Sequence, residues 1–130
     1  MRAACHSGGM TDVREQGLQV FRELLPGSGE LNLHDGKFGD ELLEIGIDNV
    51  FGRLWAREGL SRRERSLVTL GILISLRATD ELQFHFQIAR NNGLTEDEIA
   101  EVIYHASGYA GFPAANTART IAREVFDESS

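Results

Sequence analysis

The stretch "TDELQFHFQIARNNG", residues 79–93, decides how this chain folds. Wound at about 100° per residue, it gathers Leu82, Phe84, Phe86, Ile88 and Ala89 on one broad arc and leaves Gln83, Gln87 and Arg90 opposite. That is the signature of an amphipathic helix. Thr79 stands where an N-cap belongs and Gly93 where a C-terminal cap belongs. Glu81 and His85 break the pattern: they are one turn apart, so their side chains meet, and both fall in the apolar arc where a helix should bury hydrocarbon.

Helical signals continue on both sides. Upstream, "SRRE" (Ser61 to Glu64) is a capping box that opens a helix running to about Leu76. From Leu67 onward its apolar side chains occur nearly all round, which suits a central helix or one with a second face against another subunit. Downstream, "TEDE" (Thr95 to Glu98) is a second capping box and starts a helix through Tyr109, with Ile99, Val102, Ile103, Ala106 and Ala110 along one face. "GFPAAN" breaks the chain, Pro113 suits a first helical turn, and a last helix carries Ala118, Ile121, Ala122, Val125 and Phe126.

Nearer the N-terminus, Thr11 or Asp12 can cap a helix through Leu25 that bears Val13, Val20, Phe21, Leu24 and Leu25, and "PGSGE" stops it. A further helix is expected from about Phe38 to Trp55, with Leu42, Ile45, Val50, Leu54 and Trp55 at approximately helical spacing, weakened by Gly46 and Gly52. Nothing reads as a strand. The expected fold is all-α with about six helices, in a single domain over residues 11–130 preceded by a disordered extension over residues 1–10. Met10 offers a second candidate start.

Composition narrows the function classes. A chain of 130 residues with 42% hydrophobic residues can bury a real core. Its formal charge of -7 opposes nucleic acid and anionic membranes. The longest apolar run, "LVTLGILISL", is half the roughly 20 residues a membrane span needs, and residues 1–9 lack a signal-peptide apolar region, so a cytoplasmic protein is expected. One cysteine, Cys5, excludes an intramolecular disulfide.

An ionised glutamate buried without a partner costs several kcal/mol, so Glu81 must pair, shift its pKa or face a wet cavity. Three accounts of Glu81 and His85 compete: a solvated surface pair, a buried structural pair, and a general acid/base pair lining a cleft. The third gains weight if other polar groups converge, and His105 and Tyr109, again one turn apart, are the candidates. A metal held by Glu81, His85 and His105 is disfavoured, because this spacing is not a diagnostic ligand motif and no cysteine joins it. Arg65 is the candidate for binding a substrate carboxylate at the start of the central helix, whereas Arg62 and Arg63 read as solvated charge. No phosphate-binding glycine loop or nucleophile motif is present.

Taken together, "LWAREGLSRRERSLVTLGILISL", "ELQFHFQIARNNGLTEDEIAEVI" and "YAGFPAAN" resemble the carboxymuconolactone decarboxylase family from about Val13 to Phe126. The resemblance implies an all-helical, cofactor-free lyase, a ring-shaped homohexamer built as three dimers, acting in the degradation of aromatic acids through protocatechuate. The implied reaction converts 4-carboxymuconolactone to 3-oxoadipate enol-lactone and carbon dioxide. Rival readings are a related enzyme acting on another lactone or keto acid, and a non-catalytic oligomeric binding protein of the same fold.

The wider superfamily includes alkylhydroperoxidase D proteins, whose redox site is a Cys, two residues, a Cys, three residues and a His. With that His set on His85, Ala78 and Glu81 take the cysteine positions and Ser66 takes that of a helper Glu, so thiol redox chemistry is excluded. Under the family resemblance, His85 transfers the proton, its pKa poised near neutrality, with Glu81 orienting it or sharing the proton; His105 or Tyr109 donates to the developing oxyanion, and Arg65 holds a substrate carboxylate.

Overall fold

A computed structural model describes residues 10–129. The expected extension, including Cys5, lies outside the described residues except for Met10, which opens the first helix. The chain divides between Gly59 and Leu60 into two compact units. All regular elements among the described residues are helical, and none of these helices is long and apolar enough to cross a membrane.

In the first unit, α1 (Met10–Leu24) is followed by a short 3-10 turn, Pro26–Ser28, and then α2 (Leu42–Gly46), which continues directly as a π-helix over Ile47–Trp55. Val20 and Leu24 of α1 are buried, and the Phe21 ring meets Phe51 edge-on at 5.2 Å between centroids. α1 and the π-helix pack backbone to backbone. A Cβ on Gly17 would lie 2.4 Å from the Ile47 carbonyl oxygen, and one on Gly52 would lie 2.5 Å from that of Val13. Only glycine permits this approach. Arg14 staples the same crossing: Nε and Nη2 donate to the Asp48 carboxylate at 3.1 and 3.0 Å, and Nη1 pairs with Glu44 at 3.0 Å.

The single helix expected from Phe38 to Trp55 is therefore shorter at its start and changes type within. Phe38 lies in a turn and is fully exposed. Ile45, Val50 and Leu54, expected on the buried face, are exposed, while Ile47, Asp48, Gly52 and Trp55 are buried. The buried face is Asp48, Gly52 and Trp55, spaced four and three residues apart, with Ile47 beside it; an ion-paired carboxylate and a glycine at a close crossing make up half of it, and an apolar count passes over both.

The second unit holds α3 (Arg62–Leu76), α4 (Thr79–Asn91), α5 (Glu96–Ala110) and α6 (Phe112–Ser129). Its core gathers Leu70 and Ile74 of α3, Leu82 and Phe86 of α4, Ile99 of α5 and Ala118 of α6. Both capping boxes form. The Ser61 hydroxyl accepts from the Glu64 amide at 3.0 Å and Thr95 does the same for Glu98 at 3.0 Å, each glutamate accepting in return from the capping residue's own amide.

Thr79 is not the cap of α4. Arg77 closes α3 in the left-handed region at φ 55°, with its amide and that of Ala78 donating to Ile74 and Leu73 carbonyls. The chain turns so tightly there that Ala78 takes the cap position, without a side-chain bond, and Thr79 is the first helical residue. α3 and α6 each pack on both α4 and α5, which touch one another only slightly, so α4 and α5 lie diagonally across the four helices of this unit.

Candidate functional site

His85 lies in the middle of α4 and is 8% exposed, flanked along the helix by the buried Leu82, Phe86 and Ala89. Burial pushes its pKa from 6.5 down to about 4, because desolvation penalises the imidazolium. The ring is neutral at pH 7, and its pKa lies below the near-neutral value expected for an acid/base residue, because burial among apolar side chains outweighs any stabilisation of the charged form. The Phe84 ring leans against it at 5.1 Å between centroids.

Glu81 does not share this burial. It is exposed, against the expectation that both residues of the pair sit inside. α4 begins at Thr79, so Glu81 belongs to the first turn, and the packed part of the apolar arc starts only at Leu82. A doubly buried structural pair is thereby removed; an imidazole inside with a carboxylate at the solvent edge is what remains.

α3 contributes a buried Ser66, 1% exposed, at the position where the resemblance implies a glutamate in redox relatives. Its hydroxyl accepts from the Asn92 side-chain amide at 2.9 Å, and the same amide reaches the Arg62 carbonyl at 3.3 Å. Neither Ser66 as an acceptor nor Asn92 as its donor was expected. The only signal was the polar pair "NN" before Gly93.

His105 and Tyr109 lie elsewhere, on a groove of about 920 Å³ between α3 and α5. Leu67, Ile72, Val102 and Ala106 give it an apolar floor, and the two rings stand 5.3 Å apart at 32°. Tyr109 is 87% exposed. Arg63, read from sequence as solvated charge, lines the groove and is paired with Glu98. The Thr95 amide and the Arg63 guanidinium hold that carboxyl below the usual range. Glu81, His85 and Arg65 are not among the residues lining the groove. His105 and Tyr109 thus share the groove while Glu81, His85 and Arg65 lie off it, and the helices that carry His85 and His105 are diagonal to one another. Among the described residues no three His, Cys, Asp or Glu gather closely enough to hold a metal ion, so Glu81, His85 and His105 do not form one centre in the single chain.

What the second unit contains is a helical scaffold with a desolvated neutral imidazole, an acid at the solvent edge and an apolar groove. The model of the carboxymuconolactone decarboxylase family matches residues 42–124, and the chain belongs to that family. A 4-carboxymuconolactone decarboxylase of Acinetobacter baylyi is 41% identical over 121 residues, covering 88% of this chain and 87% of that protein. A nitrosuccinic acid decarboxylase of Metarhizium robertsii is 41% identical over 90 residues, 69% of this chain and 61% of its own length. An uncharacterized 15.0 kDa protein of Paracoccus denitrificans is 38% identical over 84 residues, 63% of each.

Proposed function

We propose that this chain decarboxylates 4-carboxymuconolactone to 3-oxoadipate enol-lactone without a cofactor, in the breakdown of aromatic acids through protocatechuate. The observation that carries the reading is the 41% identity to the Acinetobacter enzyme across nearly the whole of both chains. The chemistry fits a protein with few reactive groups. The departing carboxylate sits on a ring carbon conjugated through the ring double bond to the lactone carbonyl, so its electron pair flows into that carbonyl as carbon dioxide leaves. The substrate is its own electron sink. The protein must anchor carboxylates, stabilise the furan-like oxyanion and protonate the ring carbon next to the carbonyl.

We assign the proton transfer to His85, with Glu81 orienting it, the oxyanion contact to His105 or Tyr109, and a carboxylate contact to Arg65. What supports the first assignment is the desolvated setting of His85, whose proton affinity rises when a doubly anionic substrate sits beside it. A ring charged by that contact carries the proton it delivers. His105 and Tyr109 reach the same substrate through assembly, the chain acting as a hexamer of three dimers. Exposed Leu67, Val68, Ile72 and Leu76 on α3 support burial of that face between subunits.

A second reading has its own observation, the 41% identity to nitrosuccinic acid decarboxylase. In nitrosuccinate a nitro group stands beside a carboxylate and can take the electron pair in the same way. Purified protein should release carbon dioxide from freshly generated 4-carboxymuconolactone with loss of its ultraviolet absorbance. Turnover of nitrosuccinate alone would give the chain to the second reading, and turnover of neither would remove both.

A further inference from the structure

In the first unit, an alternating run of charged groups crosses from the loop of residues 29–41 to α1. His34 Nε2 lies 2.8 Å from Glu44 Oε2, and its Nδ1 lies 3.7 Å from Asp40 Oδ2. Glu44 in turn pairs with Arg14, which grips Asp48. Asp40 also closes the turn beneath the ring: its Oδ2 accepts from the Gly36 amide at 3.2 Å, while its own amide donates to the Lys37 carbonyl at 3.2 Å. The remaining charges of the turn are Asp35, whose carboxylate accepts from the Lys37 amide at 2.9 Å, and Lys37 itself.

We infer that His34 is a proton-operated clasp, holding the turn of residues 36–40 against the start of α2 when its ring is charged and releasing it when the ring is neutral. An imidazolium has two N–H groups and can address both carboxylates at once. A neutral ring has one. If it keeps the short bond to Glu44, its Nδ1 lone pair faces the Asp40 carboxylate and attraction becomes repulsion. Asp40 is the residue that organises the turn, so the loss is felt at Gly36 and Lys37 and not only at the ring.

Two further features confine the effect to this segment. Gly36 and Gly39 take left-handed φ values of 77° and 74°, a conformation they adopt without strain and leave as readily. Arg14, by contrast, stays charged at every pH of interest and keeps its grip on Glu44 and Asp48. Glu44 and Asp40 both push the His34 pKa upward, the hydrogen bond that Glu44 accepts most. The clasp is therefore closed below the ordinary histidine range and opens as pH rises through the raised value.

The test is a proton NMR titration of the intact protein, with the His34 ring signals assigned by their loss in His34→Gln, alongside hydrogen exchange of residues 36–40. The expected result is a His34 pKa above 6.5, falling in Asp40→Asn, and turn protection about two- to fivefold lower above that pKa once intrinsic exchange is corrected. In His34→Gln the turn should show the low protection at every pH, while α1 keeps its own. A His34 pKa at or below 6.5, or turn protection that is equal on both sides of it, would overturn the clasp.

Discussion

Asn92 donates its side-chain amide to the Ser66 hydroxyl at 2.9 Å, tying the end of α4 to the start of α3 across 26 residues. Because Ser66 is fully enclosed, its hydroxyl has no access to water as a replacement partner. Ser66→Ala should cost about 1 to 2 kcal/mol of unfolding free energy, and Asn92→Ala a similar amount. The double variant should cost less than the sum, since both changes remove one bond. Urea unfolding of the four proteins measures this, and strict additivity would show that the bond contributes nothing.

The crossing in the first unit should tolerate no added carbon. Gly17→Ala puts a methyl group 2.4 Å from a backbone oxygen that cannot swing away, so a loss of about 3 kcal/mol or more is expected. Gly46→Ala is the control, because nothing lies within 4 Å of a Cβ there and alanine should be neutral or stabilise by about 0.5 to 1 kcal/mol. Thermal melts that rank the two alike would contradict the close approach.

His85 should make the protein acid-sensitive in a particular window. Its pKa falls from 6.5 to about 4 on folding, so between those values the unfolded chain binds the proton and the folded chain does not. Stability from this source is complete above pH 6.5, declines as pH falls toward 4, and levels off below. The whole effect is about 3 kcal/mol at most. His85→Gln should flatten that part of the stability curve, measured as denaturation midpoint against pH; an unchanged slope would mean that the imidazole is not the group responsible.

On the proposed reaction, His85→Ala should lower turnover about 10²-fold to 10⁴-fold, the usual scale for losing a general acid, with a smaller loss for Glu81→Gln. Melting and oligomeric state need measuring on the same preparations. Variants that melt early yet turn over normally when cold would sink the catalytic assignment.

If subunits share sites, two inactive variants should rescue one another. Unfolded and refolded together, His85→Ala and a His105→Ala, Tyr109→Phe double variant would form some sites with both sets of wild-type residues. Recovered decarboxylation in the mixture, absent from either alone, is the expected result. A mixture as inactive as its components would confine catalysis to residues of one chain.

Much of the fold was legible because its signals are local. Ser61 with Glu64 and Thr95 with Glu98 satisfy amides three residues away, and they formed as read. Thr79 failed as a cap for an equally local reason that composition hides: a left-handed Arg77, where glycine would ordinarily announce the turn. Val50 and Leu54 face outward because the buried face is carried in part by Asp48, held by Arg14, and by Gly52, at a close backbone crossing, neither of which an apolar count sees. The candidate site was the least legible part. His85 declared itself by standing in an apolar arc, but the exposure of Glu81 depends on which neighbouring helices cover the first turn of α4. The separation of His105 from His85 depends on α4 and α5 lying diagonally across the four helices, and no spacing along the chain encodes that.

The π-helix gives the first unit room for a change in length that an α-helix would not forgive. Each of its turns holds more residues than an α turn, so if one residue between Ile47 and Gly52 were deleted and the ladder relaxed to α-helical bonding, four steps of about 100° would replace five of about 82° and leave Gly52 on nearly the same side. Gly52 would keep its approach to Val13, where no larger residue fits. Drift in this segment should therefore admit a single-residue deletion between Ile47 and Gly52 as well as substitutions at exposed Asn49, Val50 and Arg53, and exclude a side chain at Gly52.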